Sequence, residues 1–191
     1  MKRIIIHWTA GAHNVSDLDR KHYHKIIDGA GKVHDGLHPI SANANPIKGP
    51  YAAHTLNCNT DSIGVAVAAM AGAQERPFSA GKHPITTAQV KALAALCAAL
   101  AKQYNIPVTP QTILTHAEVQ PTLGIRQRGK WDITWLPGMD APGDPITVGN
   151  RLRAMVADHD AKPVPEQPKV NTGSAFSALA SALSKFFRRM K

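Results

Sequence analysis

The chain is poor in several of the materials that commonly declare a function. It holds two cysteines, Cys58 and Cys97, which form no close-spaced metal or redox motif. Aromatic residues make up 5% of it, and it carries no nucleic-acid-binding motif, so nucleic acid ranks last among partners. No apolar run reaches the length of about 18 residues that a membrane-spanning helix needs. The opening Met1-Lys2-Arg3-Ile4-Ile5-Ile6-His7 lacks the apolar length and small-residue cleavage site of a secretory signal. The expectation is a chain made in the cytoplasm with reduced thiols. Cys97, on the apolar side of a predicted helix, reads as core. Acids are scarce as well: 13 Asp and Glu stand against 22 Lys and Arg, for a net charge of +9.

That charge is uneven. Residues 162–191 hold six basic residues against one acid, about half of the excess in under a sixth of the chain. Such a tail implies a polyanionic partner, either anionic lipid or a bacterial envelope. Lys162 to Lys169 is Pro-rich and charged, a semi-extended linker. Beyond it, Phe176, Leu179, Ala180, Leu183, Phe186, Phe187 and Met190 recur at steps of three and four, with Ser, Lys and Arg opposite. This spacing predicts a cationic amphipathic helix suited to an anionic outer-membrane surface. The expected division is a domain at 1–161, a linker at 162–173 and the amphipathic helix at 174–191.

Within the domain, Lys2–Trp8 and Ile63–Ala68 read as buried strands, the second central in a sheet. Ser16 and Asp19 predict a cap for a short helix through His22. Gly29-Ala30-Gly31 predicts a hairpin between flanking strand segments. Residues 36–51 and 120–145 read as loops, rich in Pro, Gly and polar side chains. Thr86-Thr87-Ala88-Gln89 is a capping box that opens the clearest helix, ended by Asn105 and Pro107. Ile113-Leu114 is a further strand, and a last helix covers 148–157. The order predicts an α/β fold, a mixed central β-sheet flanked by helices.

Two apolar stretches end on histidine, at His7 and at His116, and Asp132 follows in a loop. Two imidazoles and a carboxylate can make a three-ligand zinc site with one open position, which suits hydrolysis. With ten histidines in the chain, spacing alone leaves another reading open: two half-buried histidines bonded to backbone.

Ile5-Ile6-His7-Trp8-Thr9, Tyr23-His24, His54, Asn59-Thr60-Asp61-Ser62-Ile63-Gly64-Val65, His116-Ala117-Glu118-Val119 and Lys130-Trp131-Asp132 occur in that order. Together they resemble the zinc-dependent N-acetylmuramoyl-L-alanine amidases, a family of phage endolysins, bacterial muropeptide amidases and animal peptidoglycan recognition proteins. The resemblance spans nearly all of residues 1–157. It implies the peptidoglycan recognition protein-like fold and a Zn2+ site of His7, His116 and Asp132. The implied reaction cuts the amide between N-acetylmuramic acid and L-alanine in bacterial peptidoglycan. Lys130 is then placed to face the oxyanion. Tyr23 would orient water, since a phenol of ordinary pKa about 10 is a poor base.

His54 matches a groove histidine of phage members, against a solvated loop residue. Trp131, like Trp8, either walls the cleft or packs behind the ligands. Arg126 and Arg128 are candidates for stem-peptide carboxylates. Glu118 reads either as a hydrogen-bond partner of a ligand imidazole or as a surface residue. His22, His24, His34 and His38 read as bland. The interval from His116 to Lys130 is longer than in the compact muropeptide amidases. The expected protein is a monomeric endolysin-type hydrolase acting on the cell wall in the periplasm. Its rivals are a cytoplasmic muropeptide-recycling amidase and a non-catalytic peptidoglycan-binding module.

Overall fold

Strand β1 (Arg3–Trp8) sets the frame, because its β-branched residues alternate between two buried faces. The structure, a computed structural model, describes residues 1–160. The predicted linker and amphipathic helix therefore lie outside the described residues. Helix α1 (Asp17–His22) follows β1, then strands β2 (Lys25–Ile27) and β3 (Val33–Asp35). Strand β4 (Ser62–Val67), helix α2 (Thr87–Gln103), strand β5 (Ile113–Thr115) and helices α3 (His116–Leu123) and α4 (Pro145–Asp160) complete the order.

The strands form one mixed sheet in the order β3-β2-β4-β1-β5, with β4 at its centre as its apolar run predicts. Strand β1 lies parallel to β4 and β5, β2 parallel to β4, and β2 antiparallel to β3. The sheet and its flanking helices match the α/β expectation.

Alternation divides the sheet. Ile4, Ile6 and Trp8 of β1 and Ile63, Val65 and Val67 of β4 share one large core with Leu93, Cys97 and Leu100 of α2 and Val148, Leu152 and Val156 of α4. Cys97 is fully buried there, as predicted. Ile5 packs in a smaller group with Cys58 and Val119 of α3, so α3 covers the opposite face. Burying one large apolar side chain is worth roughly 1.5–3 kcal/mol, so the first group carries most of the apolar stabilisation.

Both predicted caps form. Ser16 Oγ accepts from Asp19 N–H at 3.2 Å and Asp19 Oδ2 from Ser16 N–H at 2.9 Å. Thr86 and Gln89 exchange equivalent bonds at 3.1 and 3.0 Å. The buried Gln89 amide also donates to the carbonyls of Ile27 and Ala68, fixing α2 against the sheet.

The loops hold more structure than their composition predicts. A 3-10 turn at Ile40–Asn43 lies within the first predicted loop. Helix α3 reaches Leu123, inside the second, and carries Pro121 within it. Its start is fixed by Glu118 Oε2, which accepts from Thr115 N–H at 2.9 Å, and its end by Gly124 in the left-handed region. Helix α4 begins at Pro145, earlier than predicted, because Asp144 Oδ2 accepts from Thr147 N–H at 2.8 Å and proline suits a first helical position.

Candidate metal centre

The pairing of Ile6 with Thr115 places the next residues, His7 and His116, side by side where the parallel strands end. Alternation turns His7 away from Ile6 and Trp8, toward the face of Ile5. His116 is the first residue of α3 rather than the last of a strand, so strand-to-helix geometry aims its ring. The third group arrives through the backbone: Ala117 N–H donates to Asp132 O at 2.6 Å, tying the loop beside His116.

The three side chains meet. His7 Nδ1 lies 3.0 Å from His116 Nδ1 and 3.1 Å from Asp132 Oδ2, and His116 Nδ1 lies 3.0 Å from that same oxygen. Donor atoms of His7, His116 and Asp132 all fall within 4.8 Å of one another, and all three residues are buried. Zinc–ligand bonds of about 2.0–2.1 Å set tetrahedral donors about 3.3 Å apart, so small outward shifts would admit the ion. Two imidazole nitrogens and one carboxylate oxygen are a donor set that zinc accepts.

Electrostatics agree with that fit. Burial lowers His7 to about 4, so its ring is neutral near pH 7, the form that ligates. Burial pushes the Asp132 carboxyl up, but the His116 and His7 imidazoles beside it outweigh that and hold the group below its ordinary value. His54 is lowered well below its ordinary value, by burial first and His7 second.

Around the trio opens a cleft of about 830 Å3. Tyr23, His54, His116, Lys130 and Asp132 line it, together with Trp8 and Arg128. The Tyr23 ring centre lies 5.2 Å from that of His7. Burial, then the Asp132 and Asp19 carboxylates, push the phenol above its ordinary pKa, so it keeps its proton. His54 Nδ1 stands 3.3 Å from His7 Nε2, and its Nε2 is buried with no partner among the described residues. Its ring lies against Gly64 of β4, where an added Cβ would come within 2.5 Å of it. His54 is thus no solvated loop histidine.

Two candidates lie elsewhere. Arg126 is exposed and outside the cleft lining, whereas Arg128 is part of it. Trp131 packs edge to face on Trp8, centroids 4.5 Å apart, and lines a neighbouring cavity of about 670 Å3 with Phe78 and Lys130.

Glu118 follows neither reading offered for it. It is fully buried and pairs with Arg153 of α4 at 2.7 Å, touching no imidazole. His24 is buried too: its Nδ1 accepts from Gly64 N–H at 2.9 Å and its Nε2 meets Asn43 Oδ1 at 3.1 Å. His22 and His34 bond the Ala53 carbonyl and Asp28 instead, away from the trio.

Two contacts on the His7 and His116 rings have no counterpart in the sequence reading. Thr55 Oγ1 lies 3.3 Å from His7 Nε2 and 2.8 Å from His54 Nδ1, able to accept from one ring and donate to the other. Gln127 Oε1 lies 2.9 Å from His116 Nε2. Neither residue has a periodic or charge signal in one sequence.

The N-acetylmuramoyl-L-alanine amidase family model (Amidase_2) matches residues 1–138. No curated protein sequence matches the chain. Among solved structures, the chain is similar to the N-acetylmuramyl-L-alanine amidase AmiD from E. coli in complex with anhydro-N-acetylmuramic acid-L-Ala-D-gamma-Glu-L-Lys, at 22% identity and TM-score 0.44, over 61% of this chain and 48% of that one. It is similar to the Ph2119 endolysin of a Thermus scotoductus bacteriophage, at 19% identity and TM-score 0.45, over 84% of both chains. It is also similar to the Staphylococcus aureus hydrolase AmiA, at 13% identity and TM-score 0.49, over 83% of this chain and 72% of that one. The match thus spans about half the length of the E. coli protein.

Proposed function

The chain belongs to the N-acetylmuramoyl-L-alanine amidase family, and from that premise we propose that it hydrolyses the amide joining N-acetylmuramic acid to L-alanine in peptidoglycan. The observation that carries the reading is the meeting of three buried donors, His7, His116 and Asp132, beside a cleft that His116 and Asp132 line. Their nitrogens and oxygen would hold zinc. When bound, zinc supplies Lewis acidity, polarising a carbonyl and acidifying water.

The chain's own residues do the rest. Tyr23 keeps its phenolic proton, so it donates a hydrogen bond that orients water or the scissile carbonyl instead of taking a proton. Lys130, exposed on the cleft wall, brings positive charge to the developing oxyanion. His54, packed against β4, lines the cleft, and its buried Nε2 has no partner among the described residues, which supports a role for it beside the substrate. Arg128 takes the carboxylate-binding role for which Arg126 and Arg128 were both candidates, because it lines the cleft.

The wider reading is an endolysin-type hydrolase acting on the wall in the periplasm. Its basic tail at 174–191 would bind an anionic membrane, a reading supported by sequence pattern. Digesting purified sacculi and weighing the products tests the reaction. Free L-alanine amino termini on intact glycan strands, together with one zinc per chain, are expected; new reducing sugar ends would defeat the proposal. Dye leakage from anionic vesicles should be greater for the full chain than for residues 1–161, and equal leakage would remove the membrane role.

A further inference from the structure

His116 uses its two ring nitrogens differently. Nδ1 faces His7 and Asp132, while Nε2 meets Gln127 Oε1 at 2.9 Å. The amide of Gln127 has its orientation fixed from the other side. Its Nε2 donates to Leu56 O at 2.9 Å and to Ile125 O at 3.3 Å. Backbone carbonyls only accept, so the amide nitrogen must face them and the amide oxygen must face the ring. An oxygen that only accepts requires a proton on His116 Nε2. A neutral imidazole protonated there carries its lone pair on Nδ1.

We infer that Gln127 is a positioning residue that selects the Nε2–H tautomer of His116 and so presents the Nδ1 lone pair to a divalent cation. The inference rests on the metal-centre reading given above, and it adds a residue to which that reading assigns no part.

The surroundings hold Gln127 for this task. It is 3% exposed, and its N–H donates to Gln120 Oε1 at 2.9 Å. Gln120 lies one turn along α3 from His116, so one short helix carries both the ring and the anchor of the group that orients it. The bond to Leu56 O ties the amide to the segment of His54 and Thr55, which also lines the cleft. Partners of this kind around metal-bound histidines typically alter metal affinity about 10–100-fold.

The test uses the full chain with 15N-labelled histidine, free of metal, at pH 8. Long-range proton–nitrogen correlations distinguish the two neutral forms of His116. The wild type should show the Nε2–H form. Gln127→Leu, which removes the acceptor at similar volume, should show a mixture and weaken zinc binding about 10–100-fold in chelator competition. Gln127→Glu, which keeps an accepting oxygen, should restore the wild-type form. Thermal melts confirm that each variant is folded. An unchanged His116 tautomer in Gln127→Leu overturns the inference, as does unchanged zinc affinity. If the wild type takes up no zinc, the hydrolytic reading fails, and the tautomer comparison still decides what Gln127 does.

Discussion

The two faces of the sheet are built from the same strands by opposite rules. On the α2 and α4 side, β4 offers Ile63, Val65 and Val67, large β-branched residues closed over by helices. On the other side the same strand offers Ser62, Gly64 and Ala66; the His54 ring takes the space over Gly64, whose N–H donates to His24 Nδ1. Strand β1 does likewise, with Ile4, Ile6 and Trp8 in the large core and His7 at the candidate metal centre. Apolar packing on one side holds rigid a row of polar groups on the other. The faces are bridged where Arg153 of α4 donates to Glu118 of α3 and to the Ile113 carbonyl at 2.8 Å.

Substitutions should therefore separate activity from stability according to face. The largest effect is expected at the site: Asp132→Ala should lower the rate of sacculus clearance by well over the roughly 10–100-fold typical of losing a mere partner of a ligand. Urea unfolding of the metal-free protein should change little. Removing zinc with a chelator should give the same loss, reversed by adding it back. At the bridge, Glu118→Ala leaves the Arg153 guanidinium buried without its carboxylate, and should cost about 3–5 kcal/mol in urea unfolding.

On the packed face, Leu93→Ala should cost about 2–5 kcal/mol while the folded fraction keeps its rate per molecule. A smaller effect is expected from pH. Burial holds His24 at about 4 against an ordinary 6.5, so the folded chain binds fewer protons than the unfolded one between those values. Stability should be full above about pH 6.5 and fall as pH drops toward 4. His24→Gln should make that fall shallower without abolishing it, because burial lowers His7 to about 4 as well. Smallest of all, Ser16→Ala should remove about 1 kcal/mol by deleting a helix cap far from the cleft.

Much of this arrangement is legible in one sequence. Periodicity marks β1, β4 and α2 because each buries a repeating apolar face, and capping pairs mark the starts of α1 and α2. His7, His116 and Asp132 are found through ordered family motifs, since nothing in their spacing brings them together. Helix α3 hides because Pro121 and its neighbours read as loop, although Thr115 and Glu118 stand at capping-box spacing. Glu118 is misjudged for a related reason: its partner Arg153 lies 35 residues away, on a helix whose contact with α3 no local pattern reveals. Gln127 and Thr55 escape because an uncharged side chain signals its task only through the atoms it meets.

The backbone bond between Ala117 N–H and Asp132 O clasps the segment between them at its base. Once its ends are joined, added length costs only slowly growing entropy and does not pull on the ligands. The segment is thus a cassette, and Gln127, Arg128 and Lys130 within it line the cleft while His7, His116 and Asp132 stay put. A transplant from a relative would have to keep the Glu118 carboxylate that meets Arg153, Lys130 on the cleft wall, and an acceptor oxygen where Gln127 now meets the ring.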